Sequence, residues 1–194
     1  MPHSRILFPA TDKESLPLMS KSVATEFSPQ SIAVLTISDS RTETSDKSGR
    51  YLTEALGEAG HKVYDKQILP DHKYRIRALL SHWIAAAEVR VIITTGGTGF
   101  ADRDITPEAV QPLLDKQIPG FGELFRQVSI GEIGTSALQS RALAGVANGA
   151  FIFCLPGSVN ACRTAWEKIL KQQLDIRNRP CNFIELFPRI GQEL

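Results

Sequence analysis

A chain of 194 residues with 42% hydrophobic residues suits one domain with a proper core, and its formal net charge of +1 gives no electrostatic reason to expect nucleic acid or an acidic surface as partner. No apolar run approaches the roughly 18 residues that a membrane span needs, and residues 1 to 28 lack a basic-then-apolar signal pattern, so a cytoplasmic protein with no membrane partner is expected. Cys154, Cys162 and Cys181 show no CxxC pairing and fall in or near apolar segments, which reads as free buried thiols in a reducing compartment; His3, His61, His72 and His82 have no metal-ligand spacing.

Residues 1 to 28, with Pro2, Pro9 and Pro17, show no sustained periodicity and read as an arm before a single domain over 29 to 194. Packing on a neighbouring subunit and a free tail both stay open for it. Ile32 to Ile37 is the first strand. Asp46-Lys-Ser-Gly49 reads as a turn and helix cap, and Leu52, Ala55, Leu56 and Ala59 mark a helix face closed by Gly60. Lys62 to Leu69 reads as the second strand. Asp71 is then expected to cap a helix over 72 to 87, whose Ile76, Leu79, Leu80, Trp83 and Ile84 recur at helical spacing. Val89, Val91, Ile92 and Ile93 form a β-branched run of the kind that makes a buried parallel strand, so two β-α-β units follow one another. Thr106-Pro107-Glu108 predicts a helix start with a hydroxyl cap, proline at the first helical position and an acid in the first turn. Asn148-Gly149 between Leu143 to Ala147 and Ala150 to Leu155 predicts a hairpin and one antiparallel edge strand. Trp83 and Trp166 fit apolar helical stripes and belong in the core. The expectation is α/β: a mostly parallel, mixed sheet between helices.

The segment Thr94 to Pro107 carries the chemistry. Glycines 96, 97 and 99 let the backbone approach a ligand, Thr94, Thr95 and Thr98 offer hydroxyls, and the loop sits at the carboxyl end of a strand, where open α/β sheets bind ligands. No Gly-Lys-Ser/Thr follows, so it is not a P-loop, and the dinucleotide spacing G-x-G-x-x-G is absent. Asp102 and Asp104 would repel phosphate unless a cation intervened, which suggests Mg²⁺.

This segment resembles the signature of the MoaB/MogA family of molybdenum cofactor biosynthesis proteins. The likeness continues through Leu35-Thr-Ile-Ser-Asp-Ser-Arg41, Asp46-Lys-Ser-Gly49, Ile118-Pro-Gly-Phe-Gly-Glu123, Gly134-Thr-Ser-Ala-Leu-Gln-Ser-Arg141, Leu155-Pro-Gly-Ser158 and Arg177-Asn-Arg-Pro-Cys-Asn-Phe183, in order, over residues 28 to 183. Gly-Val-Ala-Asn148 and Ala161-Cys-Arg-Thr-Ala-Trp166 look more like the MoaB branch. The resemblance implies the three-layer α/β/α molybdopterin-binding fold, assembled as a trimer or hexamer, and transfer of an adenylyl group from ATP to the terminal phosphate of molybdopterin. Two aspartates matter most in active members, and the matching positions here are Asp71 and Asp104, expected to hold Mg²⁺ and orient the triphosphate. For Asp71 a plain helix cap stays open beside that role.

Ser38, Asp39, Arg41, Thr94, Thr95, Gly96, Gly97, Thr98, Gly99, Pro156, Gly157 and Ser158 are the expected pterin- and phosphate-binding positions, delivered by three segments that should converge with a fourth, Pro70-Asp71, on one sheet edge. Ser158 reads equally as a helix cap, Asp39 and Arg41 equally as a local ion pair, Arg141 as a phosphate holder or a solvated arginine, and Phe100 as a stacking platform or a shield. Two functions stand side by side: a molybdopterin adenylyltransferase using ATP and Mg²⁺, and a non-catalytic molybdopterin carrier or scaffold among other proteins of the same pathway.

Overall fold

The structure is a computed structural model describing residues 26–190. The expected arm lies outside the described residues except at its end, where the Phe27 ring packs at 5.0 Å from the His61 ring and under the Arg177 guanidinium.

The chain runs β1 (Ser31–Ile37), α1 (Lys47–Glu58), β2 (Lys62–Leu69), α2 (Lys73–Ala85), β3 (Val91–Thr95), α3 (Thr106–Val110), β4 (Lys116–Gln117), α4 (Pro119–Ile133), β5 (Leu143–Ala147), β6 (Ala150–Leu155) and α5 (Val159–Ala165), which continues as a π turn over Trp166–Leu170 into α6 (Lys171–Gln173). The sheet has the order β2-β1-β3-β6-β5-β4. β1, β2, β3 and β6 are mutually parallel; the expected antiparallel strand is β5, with the two-residue β4 paired beyond it. Asn148 (φ 45°) and Gly149 (φ 77°) make the hairpin turn, both with the positive φ of a type I′ turn.

Strand alternation sorts the core into two layers. Val34, Ile93 and Phe153 face α1, α4 and α5, where they meet Leu52, Phe121 and Trp166. Leu35, Ile92 and Ile152 face the other way, onto Ile76 and Trp83 of α2 and Val110 of α3. Since every second residue turns over, these strands are apolar on both faces and read as unbroken hydrophobic runs. At the end of α1, Gly60 N–H bonds Gly57 O and His61 N–H bonds Leu56 O, a Schellman closure with Gly60 at φ 88° as expected.

Three details differ from expectation. Asp71 does not cap α2: His72 does, its Nδ1 accepting from Arg75 N–H at 3.3 Å, and Asp71 sits one residue outside the helix with its own N–H on Asp39 Oδ1. Thr106 is the first residue of α3 rather than its cap, and its hydroxyl is used instead on the carbonyl of Gly96 at 2.8 Å. Cys154 and Cys162 are buried, but Cys181 is exposed in the irregular segment after α6.

Asn148→Pro tests the turn. Proline cannot take the observed positive φ and removes the N–H that Asn148 donates to Asp115 Oδ2 at 2.7 Å. We expect a loss of about 3 kcal/mol or more in urea unfolding; an unchanged midpoint would mean that the hairpin tip carries no stability.

Candidate functional site

The four predicted segments do meet at the carboxyl edge of the sheet. β1 lies between β2 and β3, so the chain leaves β1 through α1 to one side, then returns through α2 to the other. Consequently α1 departs across one face and the β3 loop departs across the opposite face to α3, leaving a crevice at the point where strand order reverses. The crevice opens into a cleft of about 490 Å³.

Its near wall is built from Ser38, Arg41, Thr95, Gly96, Gly97, Thr98, Gly99, Asp104, Pro156, Gly157 and Ser158. Several bonds fix that wall. Ser38 N–H reaches Leu69 O at 2.8 Å, Gly96 N–H reaches Leu155 O at 3.0 Å, Thr95 hydroxyl reaches Pro156 O at 2.9 Å, and Ser48 hydroxyl reaches Gly157 O at 2.8 Å. The Thr95 hydroxyl also lies 3.1 Å from the Cys162 thiol, which burial pushes up to about 11, so this sulfur is a packing group and not a thiolate. Ser158 is the N-cap of α5, accepting from Ala161 N–H at 3.1 Å, and lines the cleft as well.

The glycine loop has one orientation. Gly96 (φ 110°) approaches β1 so closely that a Cβ there would lie 2.1 Å from Ile37 O, and Gly97 (φ 62°) leaves room for Thr106 Oγ1 and Asp71 Oδ1, 2.5 and 3.0 Å from where its Cβ would be. Gly96 admits no other residue without backbone movement, and at Gly97 a side chain would be strained by the positive φ and would displace the Thr106 and Asp71 side chains. Thr106 then binds two successive carbonyls, giving its hydroxyl to Gly96 O and its N–H to Gly97 O at 2.9 Å. In a trans peptide the carbonyl and the following N–H point in opposite directions, so the amides of Gly97 and Thr98 are turned away from α3. Among the described residues the N–H groups of Gly97, Thr98 and Gly99 have no partner. Unpaired successive amides at a cleft wall form an anion-binding concavity.

Three expected site residues lie outside the cleft. Thr94 faces the α2 layer, because it precedes Thr95 by one residue and the strand alternates; its register partners are Leu35 and Cys154, and its buried hydroxyl has only the Cys154 thiol beside it, a group that burial pushes up to about 12. Asp39 pairs with Arg103 at 2.5 Å and not with Arg41, whose guanidinium donates to Ser45 O at 3.1 Å. Asp71 stands at the rim behind Gly97. Burial holds its carboxyl above the ordinary range, helped by the neighbouring charges of Asp39 and Asp104 and opposed by Arg103. Asp104 folds back so that Oδ2 accepts Ala101 N–H at 2.9 Å, and lies against Gly99. The rim thus carries three carboxylates and one guanidinium. Among the described residues no group of three or more His, Cys, Asp or Glu side chains forms a cage for a metal ion.

The far wall was not legible beforehand. Asp46, expected more as a cap than as a site residue, does cap Gly49 N–H at 2.9 Å, and it is also buried in the cleft floor, where it accepts from Thr36 hydroxyl at 2.9 Å and pairs with Lys66 at 3.1 Å. Phe125, Ser129, Glu132, Ser136 and Ser140 come from α4 and the turn after it, and Asn160 and Thr164 from α5, with Thr164 hydroxyl on Glu132 Oε2 at 2.8 Å. The polar residues at 129, 132 and 136 recur at helical spacing, a stripe that could have marked a wetted inner face. Arg141 turns its guanidinium to the back of the loop, away from both the solvated and the phosphate-holding readings.

Comparison with known proteins agrees with this geometry. Residues 33–176 match the family model described as "Probable molybdopterin binding domain". The chain is 56% identical over 161 residues to molybdenum cofactor biosynthesis protein B of Escherichia coli (strain K12), covering 83% of this chain and 95% of that protein. A crystal structure of molybdenum cofactor biosynthesis protein B superposes with a TM-score of 0.74 at 46% identity, covering 76% of this chain and 92% of that one. The tungsten cofactor synthesizing protein MoaB from Pyrococcus furiosus superposes with a TM-score of 0.69 at 34% identity, covering 84% and 98%.

The crowded rim predicts a pH-dependent stability. With its carboxyl raised above the unfolded value, Asp71 favours the folded state only while protonated; that contribution is complete below the ordinary carboxylate range and is lost as pH rises through the folded pKa. Asp71→Asn should therefore melt higher than the parent protein at pH 7, with the difference closing on acidification below that range. A lower melting temperature for the asparagine variant at pH 7 would contradict this electrostatic account.

Proposed function

The chain belongs to the family of molybdenum cofactor biosynthesis proteins built on the molybdopterin-binding domain, and from that premise we propose that it adenylylates molybdopterin, using ATP with Mg²⁺ as the metal. The observation that carries the reading is the juxtaposition of three unpaired loop amides with Asp71 and Asp104 on one cleft edge. In the reaction, an oxygen of the molybdopterin terminal phosphate attacks the α-phosphorus of ATP, the new P–O bond forms, the bond from the α-phosphorus to the α–β bridging oxygen breaks, and pyrophosphate leaves with that electron pair.

Phosphoryl-type transfer asks the protein for alignment and charge stabilisation more than covalent chemistry. The amides of Gly97, Thr98 and Gly99, with the hydroxyls of Thr98, Ser38 and Ser158, supply donors to phosphate oxygens along the near wall. Asp71 and Asp104 are hard oxygen ligands whose mutual repulsion a cation would relieve, and Mg²⁺ is commonly held by one or two carboxylates with the rest of its shell from substrate phosphates and water. Two carboxylates are the donor chemistry that this ion takes, and they would hold it with phosphate oxygens and water. When bound, Mg²⁺ would neutralise charge spreading over the phosphates. Asp71 does not cap α2, so its carboxylate is free for this work.

The same reading includes a cytoplasmic homo-oligomer, trimer or hexamer. It is supported by Ile130, Ile133 and Leu138, which stand 52–75% exposed along α4 and the turn beyond it, and by the lack of any described helix long and apolar enough to cross a membrane. Light scattering on the purified protein tests the assembly; a monomer would remove that part.

Incubation with molybdopterin and Mg-ATP, followed by detection of molybdopterin-AMP and pyrophosphate, tests the reaction. Asp104→Asn should keep its fold and its pterin affinity while turnover falls by roughly 10²-fold or more, the usual loss when a positioned electrostatic stabiliser is removed. Full activity in that variant would take Asp104 out of the mechanism. Wild-type protein that binds pterin yet forms no adenylylated product at any Mg-ATP concentration would leave the carrier role.

Replacing Asp71 separates stability from turnover. Because His72 is the cap, Asp71→Ser and Asp71→Ala should both melt no lower than the parent protein, where loss of a true cap would cost about 1 kcal/mol. Both should lose turnover sharply, since neither side chain replaces a carboxylate beside Mg²⁺. An active, stable serine variant would leave Asp71 without a catalytic part.

A further inference from the structure

We propose that Arg141 is a positioning residue for adenylyl transfer: from behind the glycine loop it fixes the direction of the peptides that face the phosphates and sets the backbone of Asp104. The catalytic consequence rests on the reading above; the loop-setting role does not.

Thr106 fixes only the first half of the loop. The second half is held from Arg141, which donates its main-chain N–H to Thr98 O at 3.0 Å, Nε to Gly99 O at 2.6 Å and Nη2 to Asp104 O at 2.5 Å. Its remaining Nη1 bonds the Glu108 carboxylate, and its guanidinium lies 5.3 Å from the centre of the Phe100 ring. Each tethered carbonyl commits the N–H that follows it to the opposite side. Holding Thr98 O and Gly99 O therefore aims the amides of Gly99 and Phe100, continuing the row that Thr106 begins with Gly97 and Thr98.

The loop needs such a tether. Glycines at 97 and 99 make peptide rotation inexpensive, and a single flipped peptide would present a carbonyl oxygen to an incoming phosphate. A guanidinium suits the task, since its planar fork carries five donors in fixed directions and can span two carbonyls and a carboxylate at once, whereas an ammonium is a point charge on a flexible stem. Glu108 keeps the guanidinium in place: burial works against its ionisation, but the bond from Arg141 holds its carboxyl below the usual range. The side chain is 24% exposed, so a small cation from solvent can reach the place it would vacate. Phe100, 72% exposed and outside the cleft lining, lies over this brace and does not face the ligand.

The test measures Arg141→Lys, Arg141→Ala and Glu108→Gln by two readouts: binding of inorganic pyrophosphate with Mg²⁺ by calorimetry, and kcat and KM for molybdopterin. We expect Arg141→Ala and Arg141→Lys to weaken pyrophosphate binding about 10-fold and lower kcat on the order of 100-fold, while KM for molybdopterin moves less than about 3-fold. Glu108→Gln should change both in the same direction and less. Millimolar methylguanidinium should restore about 10-fold of the Arg141→Ala activity, and methylammonium should not. If Arg141→Ala does not fold, Arg141→Lys carries the comparison. Wild-type pyrophosphate affinity and kcat in Arg141→Lys, a KM that rises in step with the loss of kcat, or a wild-type protein that binds no pyrophosphate would each overturn the role. Pyrophosphate binding by the wild type that is lost in both Arg141 variants, with no adenylylated product from any of them, would uphold the brace and remove the transfer reading alone.

Discussion

β1 and β3 are hydrogen-bonded neighbours from Ile32 to Thr36, yet the chain leaves them toward opposite faces of the sheet. Everything at the site depends on that divergence. A right-handed crossover from β1 to β2 puts α1 on one side, and a second crossover that steps back over β1 puts α2 on the other. Between the two departures a gap is left above Ile37 and Thr95, and backbone from the ends of β1, β3 and β6 lines it. The gap exists because of strand order, and the side chains only determine what it can bind.

Within that gap the main chain provides much of the hydrogen-bond donor surface. The direction of a backbone amide is not set by its own side chain, so it has to be secured by what lies behind it. Thr106 secures Gly96 and Gly97, and the close contacts at Ile37 and Gly157 hold the loop from the front. The acids contribute in the opposite sense. Asp39, Asp71 and Asp104 crowd one rim with Arg103 as the near cation, and burial of Asp71 adds to the strain. A fold optimised for stability alone would not keep an acid there.

Much of this was readable from the residues because the signals were physical. The two β-α-β units follow from apolar period and helix punctuation, and Asn148-Gly149 admits few turns other than the one found. What escaped were choices between neighbours. Asp71 and His72 both can cap, and only tertiary contact with Asp39 decides between them. Thr94 and Thr95 both belong to a strand buried on two faces, so no polarity pattern says which hydroxyl meets the cleft. Ser129 and Glu132 of α4 look like part of a solvated face until α5 is packed beside them.

The two borders of the sheet are unequal, and each is closed to strangers in its own way. On one side the outermost strand, β4, is two residues long and runs within two residues into Pro119, which has no N–H to offer. On the other, β2 is eight residues long but carries Lys62, Asp65 and Lys66. A brief border and a charged one both discourage another chain from adding a strand.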